Sequence, residues 1–118
     1  MDVKLIQARL AEFAAERDWD QFHDPKNLAM ALAGEAGELI EIFQWLSGES
    51  SRKEQLSQEQ LDHIAEELAD VTIYALRLCD KLDIDIGTAV TAKIEKNAAR
   101  YPVSLAKGNA TKFSEREP

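Results

Sequence analysis

Apolar residues recur every three to four positions along most of this chain and almost nowhere alternate, which predicts helices and almost no strand. Val3, Ile6, Leu10 and Phe13 mark a first helix over Val3 to Arg17. Leu28, Leu32, Leu39, Ile42 and Leu46 mark a second from Lys26 to Leu46, stopping near Gly48. Ile64, Leu68, Val71, Ala75 and Leu78 mark a third that runs to Leu82, opened by Ser57 and Gln60 as a capping box. Asp85 caps a fourth, which carries Ile86, Val90 and Ile94 and ends before Pro102. Between them, Asp18 to Pro25 is a loop of aromatic and polar residues, and the polar run Ser47 to Leu56 reads as a mobile connection. The expected architecture is an all-α four-helix bundle over residues 1–103, then a polar tail over 104–118 in which Leu105 and Phe113 are the large apolar anchors. The second and third helices have apolar faces too wide for one short domain to cover, which predicts that a homodimer or homotetramer completes the bundle.

Acids interrupt these apolar faces. Glu35 falls in the middle of the second helix's stripe, between Ala31 and Leu39 one turn away on either side, and Glu38 lies to one side, still on the apolar half. On the third helix Glu67 lies on the apolar face and Asp70 at its edge. Glu41, Glu49, Glu54, Glu59 and Glu66 read instead as ordinary water-facing glutamates. Burying one unpaired carboxylate is costly, and burying four demands a counter-charge. Oxygen ligands in this number suit a hard divalent cation, Mg²⁺ or Mn²⁺, which makes Glu35, Glu38, Glu67 and Asp70 the candidate metal ligands.

Composition narrows the ligand. The chain has 118 residues, one cysteine, 45% apolar residues and a net charge of −8. These numbers suggest a single folded domain without an intrachain disulfide, and the charge disfavours a nucleic-acid polymer as partner. No apolar run is long enough to cross a membrane and no leader pattern opens the chain, so the expected location is the cytoplasm. An acidic protein still binds a small anion when cations reverse the local field. Lys93, Asn97 and Arg100 recur at helical spacing on the fourth helix and read as a clamp for phosphate placed opposite the acids. Aromatic and imidazole groups, namely Trp19, Phe22, His23, Trp45 and Tyr74, are few and fall in or near the acid-bearing segments. The chain lacks a Glu-x-x-His pair, HExxH, a P-loop, GxSxG and a cysteine–histidine cluster, which excludes the chemistries those motifs serve.

Three segments together carry a resemblance. ERDWDQFHDPKNLAMALAGEAGELIEIFQW, EELADVTIYAL and DIDIGTAVTAKIEKNAARYPV resemble the all-α nucleoside triphosphate pyrophosphohydrolases of the MazG-like superfamily, and within it the dCTP pyrophosphatase group. The resemblance covers Glu16 to Val103. It implies a Mg²⁺-dependent enzyme that cleaves a nucleoside triphosphate, dCTP or a modified pyrimidine first, to a monophosphate and pyrophosphate. Glu35, Glu38, Glu67 and Asp70 would hold the metal, with Glu38 accepting the proton of the attacking water. Trp19, Asp20, Gln21, Phe22 and His23 would line the nucleotide pocket with Trp45 and Tyr74, and Lys93, Asn97, Arg100 and Tyr101 would meet the phosphate end. Where dCTP-cleaving relatives carry a histidine on the first helix, this chain has Leu10. The alternatives are a broad-specificity (d)NTP pyrophosphatase and a non-catalytic helical partner that binds nucleotides.

Overall fold

The computed structural model describes residues 1–112, and Phe113 of the tail lies outside them. Among the described residues there are five α-helices and no strand: α1 (Val3–Glu16), α2 (Pro25–Phe43), α3 (Gln58–Lys81), α4 (Ile86–Arg100) and a single turn, α5 (Val103–Ala106). Short 3₁₀ turns occupy Asp20–Phe22 and Lys53–Gln55. The four expected helices all form. None of the described helices is long and apolar enough to cross a membrane.

Each long helix starts where a side chain takes over an orphan amide. Asp2, Asp24 and Asp85 accept from Leu5, Asn27 and Thr88 at 3.1, 2.8 and 2.9 Å. Ser57 and Gln60 close the reciprocal capping box, with Gln60 N donating to Ser57 Oγ at 3.1 Å and Ser57 N to Gln60 Oε1 at 2.8 Å. Helices α1 and α3 stop in the same way. Asp18 and Asp83 each adopt φ 53°, and the residue after each donates back across the last turn: Trp19 N to Ala14 O and Ile84 N to Cys79 O, both 2.9 Å. This Schellman closure normally takes glycine, so here an aspartate holds the left-handed position.

The second helix is shorter than its apolar pattern predicts, ending at Phe43 rather than Leu46. The cause lies in Ser47 and Ser50. Ser47 N donates to Ser50 Oγ at 2.8 Å and Ser50 N donates to Ser47 Oγ at 3.0 Å, so hydroxyls capture the backbone groups that further helix would have used. The segment expected to be a bare polar connection is thereby folded on itself, and its end is a 3₁₀ turn. Trp45 consequently sits beyond the helix and is 88% exposed.

The described chain forms two compact units that divide after Ile84, and each is described by itself. In the first, α2 packs along α3, and α1 packs on α3 and on the 3₁₀ turn at Asp20–Phe22. Its core is small: Ala14 of α1, Leu28 of α2, and Leu76 and Cys79 of α3. Gln7 is buried too and donates to Leu76 O at 3.1 Å, tying α1 to α3. Leu68, which the periodicity assigns to the apolar face, is exposed, because Glu67 and not Leu68 faces α2. In the second unit Val90 and Ile94 of α4 are exposed. With so few buried apolar side chains each one matters. Leu28 is 1% exposed, and Leu28→Ala should destabilise the protein by about 2–5 kcal/mol, read as a lowered urea midpoint with an unchanged slope.

Candidate active site

Packing of α2 against α3 brings three carboxylates together. Glu35 and Glu38, three residues apart on α2, meet Glu67 of α3, and one oxygen of each lies within 4.8 Å of the others. They differ in exposure: Glu67 is 8% exposed, Glu35 is half-buried and Glu38 is open to solvent. Glu35 Oε2 and Glu67 Oε2 are both buried without a hydrogen-bond partner. The fourth predicted ligand, Asp70, is one turn further along α3, outside that triad but near enough for its charge to act on both buried glutamates.

The electrostatic consequence is a shared reluctance to ionise. Desolvation pushes the Glu35 carboxyl up to about 7, helped by its hydrogen bond with Glu38 and by the charges of Glu38, Asp70 and Glu67. Desolvation also raises Glu67, again helped by Glu38 and Asp70, while a hydrogen bond with Glu35 works the other way. Two buried carboxylate oxygens without partners, in a group made only of hard oxygen donors, fit a divalent cation.

Beside the triad is an open cleft of about 380 Å³ lined by Glu38, Glu41, Ile42, His63 and Glu67. His63 is not among the residues expected at the site, and Glu41, expected to face water, is exposed on the wall of this cleft. His63 Nε2 lies 3.3 Å from Glu67 Oε1, one helical turn away. The signal for His63 was present in the spacing. His63, Glu67, Asp70, Tyr74, Arg77 and Lys81 follow one another at alternate steps of four and three, which places them on one face of α3.

That face also anchors the aromatic loop. Arg77, 4% exposed, was not singled out from sequence, yet its NH2 donates to Asp20 Oδ1 at 2.7 Å and its Nε to His23 Nδ1 at 3.2 Å. Its NH1 reaches Asp80 Oδ2 at 3.4 Å, and Lys81 Nζ donates to Asp20 Oδ1 as well. Asp20 is held below the usual carboxylate range by these partners, the hydrogen bond from Lys81 foremost. His23 is held below the ordinary histidine value by desolvation and by the Arg77 charge. Gln21 is engaged locally, donating to Asp18 O and Oδ2 at 2.9 and 3.0 Å. The Trp19 ring meets Phe13 of α1 edge-on, with centroids 5.7 Å apart, and Arg17 stacks over the other ring of that pair, Phe13, at 3.6 Å. Trp19 and Phe22 remain exposed, and Tyr74 is half-buried between Asp70 and Arg77 on α3. Lys93, Asn97 and Arg100 lie on α4, with Tyr101 as its C-cap, in the second unit.

A long helical pair carrying a paired-acid motif on each member defines a recognisable class, and this chain belongs to the MazG-like family, whose pattern it matches over residues 31–115. It is 46% identical over 105 residues to dCTP pyrophosphatase 1 of Bos taurus and 45% identical to dCTP pyrophosphatase 1 of Homo sapiens. These matches cover 89% of this chain and 62% of the relatives, so the chain spans less than two thirds of their length. It is also similar in structure to a pyrophosphatase from Archaeoglobus fulgidus, with a TM-score of 0.79, 40% identity, and coverage of 86% of this chain and 94% of that one.

The raised carboxyl has a measurable signature. Folded Glu35 keeps its proton up to about pH 7, whereas in the unfolded chain it loses it near the ordinary carboxyl value of 4.5. The folded state therefore binds more protons across that window, and its stability should fall as pH rises from about 4.5 to 7. Thermal unfolding in the presence of a chelator should show this decline in the wild type and a flatter profile in Glu35→Gln. Added Mg²⁺ should reverse the decline at neutral pH.

Proposed function

We propose that this protein is a divalent-cation-dependent nucleoside triphosphate pyrophosphohydrolase. In this reading it releases a monophosphate and pyrophosphate, with dCTP or a modified pyrimidine deoxynucleotide preferred. The observation that carries the reading is the triad Glu35, Glu38 and Glu67, with two buried oxygens left unpartnered on facing helices. The names of its relatives, dCTP pyrophosphatase 1, support the bond and the base.

Glu35, Glu38, Glu67 and Asp70 would hold the cation, Mg²⁺ first and Mn²⁺ as a substitute. When bound, it would neutralise phosphate charge and lower the pKa of water. Glu38, the exposed member and a wall of the cleft, accepts the proton of the attacking water. Lys93, Asn97 and Arg100 of α4, with Tyr101 at its C-cap, are the groups that the family resemblance assigns to the phosphate end of the substrate, and the domain proposed for this activity is residues 1–103. The order of groups along α3 fits a nucleotide laid lengthwise: acids for the phosphates, then Tyr74, then the loop anchored at Arg77 for the base. Trp19 and Phe22 offer exposed rings for stacking, while Asp20, Gln21 and His23 supply the loop's polar groups. Trp45, exposed beyond α2, is a further ring for the base, while exposed apolar side chains on each unit, Leu68 on α3 and Val90 and Ile94 on α4, are surfaces for a second copy of the chain, giving a cytoplasmic homodimer or homotetramer.

Glu38→Gln should lower kcat for dCTP by about 100-fold or more with Mg²⁺ present. Near-normal turnover would remove Glu38 from its role. Comparing kcat/KM for dCTP, dTTP, dATP and CTP tests the base assignment: the dCTP value should be highest, and four equal values would favour a general triphosphate scavenger. Trp45→Ala should raise KM more than it lowers kcat, because stacking is much the same in ground and transition states. Light scattering at micromolar concentration should report a dimer or tetramer, and an active monomer would contradict the assembly.

A further inference from the structure

Arg77 is a full positive charge on the inward face of α3, and all three of its nitrogens are used. Its NH2 takes Asp20, its NH1 takes Asp80, and its Nε points at a ring nitrogen of His23. Two of these partners belong to the loop between α1 and α2, so a single rigid fork fixes that loop to α3 at two points. The remaining loop residues add little slack. Gln21 is tied to Asp18, and Trp19 leans on Phe13.

The contact with His23 carries more information than its length. An arginine Nε always bears hydrogen, so at 3.2 Å the facing His23 Nδ1 must accept. A neutral imidazole that accepts at Nδ1 carries its proton at Nε2. Burial and the neighbouring guanidinium both disfavour a second proton on this ring, although Asp20 pulls the other way. His23 is thus held in one tautomer, with Nε2–H as its remaining polar group.

Position gives that donor a use. Arg77 follows Asp70 by two turns on the same face of α3, about 10 Å along the helix, with Tyr74 between them. That is about the reach of a nucleotide from its phosphates to the edge of its base. A ring locked as a donor pairs with an acceptor and rejects a donor at the atom it meets. Cytosine and thymine differ in this respect at ring nitrogen 3, which is a lone pair in the first and an N–H in the second.

We propose that Arg77 is a positioning residue that fixes the Trp19–His23 loop on α3 and locks His23 as a neutral Nε2–H donor, and that this lock selects cytosine over thymine. The proposal rests on the nucleotide reading above and names a determinant of specificity within it. Arg77 itself touches no substrate and acts through His23 and Asp20.

The test has two independent arms. Long-range ¹H–¹⁵N correlation on the labelled protein reads the tautomer directly. The chain has only two histidines, and His23→Gln assigns the signals. The wild type, without nucleotide or metal, should show His23 protonated at Nε2 and bare at Nδ1, and Arg77→Lys should show exchange between tautomers. In the second arm, Arg77→Lys should lose about tenfold of the dCTP-over-dTTP ratio of kcat/KM, with KM for dCTP rising more than kcat falls. A wild-type His23 that carries its proton on Nδ1, or averages between tautomers, overturns the lock even if Arg77→Lys fails to fold. A folded Arg77→Lys that keeps both the tautomer and the base ratio overturns it as well. If the wild type turns over no nucleotide, the reading beneath the proposal falls and the selectivity role falls with it, while the tautomer still reports on the latch.

Discussion

Three carboxylates forced together at the seam of two helices are the constraint from which the rest of this molecule follows. Packing α2 against α3 buries Glu67 and half-buries Glu35, and the same packing brings the exposed Glu38 onto them. A protein selected for stability alone would place leucine there. Here the helices close over two acids, Glu35 and Glu67, each with a buried oxygen that has no partner, and Glu35 responds by holding its proton up to about neutral pH. A divalent cation would satisfy these oxygens better, and in the proposed reading that difference would turn an electrostatic defect into affinity.

The defect also explains the thin core. Every position given to an acid on the facing sides of α2 and α3 is a position withheld from apolar packing. Only Ala14, Leu28, Leu76 and Cys79 remain as buried apolar side chains among the described residues. The unit compensates with polar ties that need exact partners. Gln7 to Leu76 O joins α1 to α3, and the fork of Arg77 joins the aromatic loop to the same helix. A buried guanidinium without anions would be as unfavourable as the buried acids; Asp20 and Asp80 neutralise it, and the Asp20 pair ties the loop to α3.

Helix α3 therefore acts as a ruler. Along one face it presents an imidazole, two acids, a phenol, a guanidinium and an ammonium, each one turn from the next. The acid end meets α2 and the cationic end meets the loop, so a ligand lying along this face encounters opposite chemistry at its two ends. Helix periodicity sets the spacing, and the partners on α2 and the loop set what each group is left free to do.

Much of this was legible in the order of residues. Capping by Ser57 and Asp85, the four long helices and the acids on their apolar faces all depend on interactions within a few positions of each other, which local spacing reveals. The end of α2 at Phe43 was not, since two serine hydroxyls outcompete an apolar pattern that continues to Leu46. Nor was the choice of Glu67 over Leu68 as the residue facing α2, because neighbouring positions on a helix differ by only ~100° and the partner decides between them. The role of Arg77 was the least visible. Its partners at positions 20 and 23 are 57 and 54 residues away, and a cation on a helix face looks the same in sequence whether it meets water or a carboxylate. The sequence by itself determined which chemical groups lie on which face of each helix, because that follows from the period of the backbone. Only the tertiary structure decided which of those groups lose water and which find each other, because desolvation and pairing depend on neighbours brought in from distant parts of the chain.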